Sequence, residues 1–333
     1  MSEMLSQIQG LGDQLRWVAD IDAPHVGTFS EVLCVGMGGS GIAGDYAGAV
    51  AEPYGTRVGV HKGYGPIPAW AIRVRPLVIA CSYSGNTEET LDFVTSALES
   101  GLTVATVTTG GSLGELTSQH GWRGVTVPPG LQPRAAIGYM AGAVVRLLES
   151  SHAVEDQRLN FIEAADLADA MTEQGSEAWA MAESTASALA GRITIVYGGG
   201  PVSSVAAQRW KTQMNENAKS PAWFSQLPEL DHNELAGWDA IADTTREHVG
   251  IVMLTDESDH DRVTRRVSLT RELSQEAVPW VGEVAARGRS RLARLVSLTI
   301  LGDLVALMLA DRLGVDPVAV TTIENLKRLL VEG

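Results

Sequence analysis

The chain has 333 residues, 45% of them hydrophobic and 20% charged, enough for two ordinary domains with cores of their own. A formal net charge of -15, with no Lys/Arg-rich arm to offset it, excludes nucleic acid and anionic membranes as natural partners. It also repels phosphorylated metabolites at long range, so any phosphate site here has to rely on short-range donors: backbone N–H groups, hydroxyls and a few cations.

The opening, Met1 to Asp20, lacks the basic head and apolar run of a signal peptide and reads as an amphipathic helix with Leu5, Ile8, Leu15 and Val18 on its apolar side. Val32 to Gly36 is a short apolar strand of the buried parallel kind, running into the glycine loop GMGGSG and a helix from about Ile42. Arg57 to His61 is a second strand. Leu77 to Cys81 is a third and ends in the polar loop SYSGNTEE before another helix. Thr103 to Val107 and Val125 to Val127 supply further strands, and a helix over Ala135 to Glu149 closes the first half.

The second half repeats the scheme. Arg192 to Tyr197 is a strand followed by Gly198, Gly199 and Gly200 and a helix from about Ser203. His248 to Leu254 runs into the polar loop TDESD, and a helix over Arg262 to Ser274 follows. A strand at Val278 to Val281 precedes an apolar helix over Arg291 to Leu309. Its most apolar stretch, Leu298 to Ala310, is too short to cross a bilayer and carries Asp303, so it is expected to be buried. Asp316-Pro317 breaks the chain before a last helix, Ile323 to Leu330. The repeated order predicts two related doubly wound α/β domains, 1–150 and 151–333, with the boundary near Ser151. Cys34 and Cys81 fall inside strands and suggest neither a disulfide framework nor a zinc site, so the cytoplasm is the expected compartment.

Ser82-Tyr83-Ser84-Gly85-Asn86-Thr87 is the most informative stretch. It joins the end of a buried strand to the start of a helix, where ligands collect in open α/β sheets. Three hydroxyls, Ser82, Ser84 and Thr87, crowd a turn that Gly85 permits, and the helix directs N–H groups and its positive end at the same spot. A phosphate needs many donors and little bulk; a serine-rich turn with an N-cap is the plainer alternative. Gly36 to Gly41 also fits the G-x-G-x-x-G dinucleotide pattern. However, the second strand ends in His61-Lys62 and not in the acidic residue a ribose requires, so Gly39 and Ser40 can line a sugar-phosphate pocket instead.

The pairing of GMGGSGIAGD with SYSGNTEET resembles the sugar-isomerase (SIS) fold. Pro133-Arg134, Asn215-Glu216-Asn217-Ala218-Lys219, Asp231-His232-Asn233-Glu234 and Ile323-Glu324-Asn325-Leu326-Lys327, taken together and in order, resemble the bifunctional phosphoglucose/phosphomannose isomerase family along nearly the whole chain. That resemblance implies two doubly wound parallel-sheet SIS domains and aldose–ketose isomerisation of glucose 6-phosphate or mannose 6-phosphate with fructose 6-phosphate. It implies phosphate held by Ser40, Ser82, Ser84 and Thr87, with Gly39 beneath. It further implies Glu216 as the base, Arg134 as the cation beside an enediolate, and His232 and Lys327 as aids to ring opening. The histidine would come from the partner subunit of a homodimer. No metal, flavin or nicotinamide is implied.

Each residue also has a plainer reading: a solvated Glu216 at a helix end, a surface His232, and Lys327 as a cation near a helix C-terminus. A non-catalytic sugar-phosphate sensor and an NAD-dependent oxidoreductase are the rival functions. His260, between Asp259 and Asp261, lacks a partner at metal-binding spacing and reads as a solvated loop. Trp210, Trp223, Phe224 and Trp238 read as core and interface packing.

Overall fold

The computed structural model describes residues 2–238 and 240–332. The chain divides into two compact units. One comprises Gln9–Ala170 and Ala286–Ser297; the other comprises the residues up to Ile8, Met171–Ala285 and the chain from Leu298 on. The sequence placed the boundary near Ser151. In the structure α8 (Arg158–Thr172) joins the first unit up to Ala170, because Arg16 bonds Asp166 and Asp169 at 2.7 Å and the backbone of Gly12 lies against Asp169 and Ala165.

In the first unit the opening helix breaks at Gly10 into α1 (Ser2–Gln9), most of which belongs to the other unit, and α2 (Leu11–Asp20). Then come β1 (Glu31–Val35), α3 (Gly38–Ala51), β2 (Arg57–His61), α4 (Ala69–Val74), β3 (Leu77–Ser82) and α5 (Glu88–Glu99). They are followed by β4 (Val104–Thr108), α6 (Gly111–His120), β5 (Arg123–Thr126), α7 (Ile137–Ser150) and α8. All five strands are parallel, in the order β2-β1-β3-β4-β5. The apolar runs are buried on both faces, as parallel sheets require; every residue of β3 is buried. Leu33, Val35, Val78, Phe93 and Val104 form the core on one side.

The second unit carries α9 (Glu177–Leu189), β6 (Ile193–Gly198), α10 (Pro201–Glu216), β7 (Ala222–Gln226) and α11 (Ala242–His248). Its remaining elements are β8 (Val249–Thr255), α12 (Asp261–Ser274), β9 (Val281–Ala285), α13 (Arg291–Leu313), of which the part from Leu298 lies here, and α14 (Thr321–Glu332). Four parallel strands run in the order β7-β6-β8-β9. This is the order of the first four strands of the other sheet, so each sheet reverses direction between its first and third strands in sequence.

Three further observations bear on the sequence expectations. Trp223 and Phe224, expected as core and interface packing with some able to wall the pocket, lie in β7, an edge strand that leaves Trp223 55% exposed, whereas Trp210 is fully buried. The last strand begins at Val281 and not at Val278, because the ladder opens where Ile251 N–H donates to Trp280 O. Finally, α13 is buried as expected: its 23 residues are enough to span a bilayer, but 94% of its most apolar window lies inside the fold.

Candidate active site

The first sheet reverses direction between β1 and β3, which pair side by side up to Val35 and Ala80. A crevice at the carboxyl ends of such strands is where open α/β sheets hold ligands. Two loops meet there. Ser40, buried in the first turn of α3, accepts the Tyr83 backbone N–H on its Oγ at 3.0 Å and so ties the glycine loop to the hydroxyl loop. Gly39 lets the Pro133–Arg134 segment close against the same loop, because a Cβ there would lie 2.8 Å from Pro133 O and 3.1 Å from Arg134 Cα.

Within the hydroxyl loop, Ser82 Oγ and Thr87 Oγ1 share a hydrogen bond of 2.8 Å. Gly85 adopts φ +73, with its N–H donating to Ser82 O at 3.1 Å. A Cβ at Gly85 would meet Gly110 O at 1.8 Å, so no other residue fits the turn. Asn86 N–H donates to Ser84 Oγ at 3.2 Å, and Asn86 Oδ1 accepts from the N–H and hydroxyl of Ser112. Thr87 is the N-cap of α5. The loop is thus fixed before any ligand arrives, with Ser84 exposed on it and the positive end of α5 behind it. Arg134, 4% exposed, sits on the 3-10 turn Pro133–Ala135 that leads into α7, its Cα close against Gly39 of the glycine loop.

Tyr83 is held at every polar atom. Its N–H reaches Ser40, its carbonyl accepts from Thr109 N and Oγ1, and its hydroxyl donates to Pro128 O and accepts from Leu131 N. Burial pushes its hydroxyl pKa up, so it stays a donor. Sequence reasoning named its neighbours and passed over it. Burial also raises both thiols, Cys81 to about 12, which disfavours the reactive thiolate.

In the second unit Glu216 is the last residue of α10, half-buried. The helix ends because Lys219 takes φ +52 and donates its Nζ to Glu216 O and Asp316 O at 2.7 and 2.6 Å. On the buried face of α10, Arg209 and Gln213 converge on Asp303 of α13. His232 is exposed at the end of the 3-10 turn Glu229–His232, a segment clamped on both sides. Asp231 pairs with Arg266 and Thr270 at 2.7 Å each, Glu234 accepts the Tyr197 hydroxyl at 2.7 Å, and Leu230 is buried in the core. Burial, then the Glu234 carboxylate, raises the Tyr197 pKa. Lys327 is exposed on α14 among the exposed Ile323, Leu326 and Leu330.

The second glycine loop differs from the first in one decisive respect. Ser203 Oγ accepts the Gly199 and Gly200 N–H groups at 2.9 Å and donates toward the buried Asp259 carboxylate at 3.3 Å. A Cβ on Gly200 would fall 2.0 Å from Asp259 Oδ1. Where the first loop offers hydroxyls, the second is filled by its own anion. His260 is the N-cap of α12, with its Nδ1 accepting Arg262 N–H. No cluster of three potential metal ligands occurs among the described residues.

Residues 180–330 match the family model of the bacterial phospho-glucose isomerase C-terminal SIS domain. A bifunctional phosphoglucose/phosphomannose isomerase of Caldicellulosiruptor bescii is 37% identical over 310 residues, covering 91% of this chain and 90% of its own length. Another, of Aquifex aeolicus, is 36% identical over 335 residues and 99% of each chain. Among solved structures, a hypothetical protein of Thermus thermophilus aligns with a TM-score of 0.72 over 99% of this chain and 91% of its own, at 14% identity, which is a likeness of fold.

Proposed function

The chain belongs to the bifunctional phosphoglucose/phosphomannose isomerase family, and we propose that it interconverts glucose 6-phosphate and mannose 6-phosphate with fructose 6-phosphate. One observation carries the reading: the turn Ser82 to Thr87, rich in hydroxyls, is fastened to Ser40 at the mouth of α5, beside the Arg134 segment. In this reading Gly39, Ser40, Ser82, Ser84 and Thr87 hold the phosphate through hydroxyls, backbone N–H groups and the helix end. Such contacts act at short range, as a chain of net charge -15 requires.

Glu216 removes the C2 proton of the open aldose and returns it to C1, while a hydroxyl proton passes from O2 to O1. C1 is reduced as C2 is oxidised, so electrons balance within the sugar. Arg134 stabilises the negative oxygens of the enediolate that forms between the two transfers. His232 and Lys327 open the ring, moving a proton onto the ring oxygen as O1 loses one. We assign His232 to the site of the partner subunit in a homodimer, and the enzyme to the cytoplasm.

The test is a coupled assay with fructose 6-phosphate, on the native chain and on Glu216→Gln. The native chain is expected to form glucose 6-phosphate and mannose 6-phosphate. The variant is expected to lose turnover by about 10²- to 10⁴-fold while still binding fructose 6-phosphate. Binding without turnover in the native chain would identify a sugar-phosphate sensor instead. Native turnover in the variant would remove Glu216 from the role of base.

A further inference from the structure

We propose that Tyr83 is a positioning residue that sets Arg134 against the phosphate loop, an inference that rests on the role given to Arg134 above. The connector from Pro128 to Pro133 reads PPGLQP, and its three prolines carry no N–H. Such a segment has few backbone donors with which to hold itself in place. The Tyr83 hydroxyl supplies what is missing: it donates to Pro128 O at 3.0 Å and accepts the Leu131 N–H at 3.1 Å, gripping the connector at both ends of one turn. Three residues past that grip stands Arg134.

The other end of Tyr83 is equally fixed. It lies between Ser82 and Ser84, its N–H bonded to Ser40 Oγ and its carbonyl to Thr109. One side chain, 6% exposed, therefore joins the residues that hold the anion to the segment that bears the cation. On the far side of Arg134, Gln14 completes the mounting: its Nε2 donates to Ala135 O at 2.9 Å and its Oε1 accepts the Tyr139 N–H at 3.2 Å. With the backbone on both sides of Arg134 held in this way and its Nη1 3.5 Å from Gln132 Oε1, less binding energy is spent on placing the cation when charge develops on the substrate. Phenylalanine would keep the packing at position 83 and break both bonds of the hydroxyl.

Steady-state kinetics on Tyr83→Phe, Arg134→Ala and the double variant test this. Tyr83→Phe is expected to lower kcat about 10- to 100-fold, the scale of a small misplacement of a catalytic group, with the KM for fructose 6-phosphate within about threefold of native. A purely structural tyrosine would give no such split. Because Tyr83 acts through Arg134, the double variant is expected to be no slower than Arg134→Ala alone. If Arg134→Ala is slow but Tyr83→Phe keeps native kcat, or if the two losses multiply, the positioning role is wrong and the role of Arg134 stands. If Arg134→Ala keeps full turnover, both fall together. Should Tyr83→Phe fail to fold, Gln14→Met, which cuts the tie at Ala135, must show the same loss of kcat at unchanged KM, and native kcat there overturns the proposal.

Discussion

Arg209 donates to Asp303 at 2.7 Å, with both side chains almost wholly buried, and Gln213 donates to the other carboxylate oxygen at the same distance. Arg209 and Gln213 lie one turn apart on α10, so a single carboxylate on α13 holds the last two turns of the helix that ends in Glu216. An apolar contact would leave α10 free to slide and rotate, whereas two charge-assisted bonds to one group fix both its height and its rotation.

Asp303→Ala strands the Arg209 guanidinium without its counter-ion in the core. The loss of stability is expected to be about 3–5 kcal/mol, read as a lower midpoint in urea unfolding. A variant within about 0.5 kcal/mol of native would mean that the pair is not part of the core.

Gly85→Ala forces a Cβ onto a backbone at φ +73 and into Gly110 O. The turn must open, and Ser82 and Thr87 part. The KM for fructose 6-phosphate is expected to rise at least about tenfold, with stability down by about 1–3 kcal/mol. Unchanged KM in this variant would show that the phosphate binds elsewhere.

Both cysteines keep their protons well above the usual thiol range because they are buried. In the folded chain, alkylation by iodoacetamide is expected to be slow and nearly flat from pH 7 to 9, and fast after denaturation. Linkage gives the sign for stability. A Cys81 pKa of about 12 against 9.0 unfolded means that the folded state holds more protons above pH 9. Its contribution is therefore full below pH 9 and is lost as pH rises toward 12. Unfolding midpoints that rise between pH 9 and 11 would contradict it.

The Asp259 carboxylate over Gly200 and Ser203 predicts one sugar phosphate per chain despite the repeated architecture. Calorimetric titration with fructose 6-phosphate is expected to give one site per chain. A stoichiometry of two would show that Asp259 yields to phosphate.

Much of the fold was legible because strands buried on both faces leave uninterrupted apolar runs. Val32 to Gly36, Leu77 to Cys81 and His248 to Leu254 each lie within a residue or two of the observed β1, β3 and β8. Edge strand β7 was not legible, since AWFSQ ends in two polar residues, is only partly buried and carries no periodic signal. In the Ser82–Thr87 loop the hydroxyls were visible because they are contiguous in sequence. Tyr83 to Pro128, Gln14 to Ala135 and Arg209 to Asp303 were not, because nothing local in the chain encodes which polar side chains meet across 45, 121 or 94 positions. The filled second loop escaped for a related reason: TDESD announces acidity, but only the fold shows Asp259 turned back onto Ser203.

The enclosure of α13 has a cost during synthesis and after heating. Outside its fold this segment is as apolar as a membrane anchor. Until its neighbours close around it, a partly assembled molecule offers other such molecules a long adhesive rod. Clumping then competes with refolding, so heat inactivation is expected to follow how fast the chain opens more than the equilibrium it would otherwise reach.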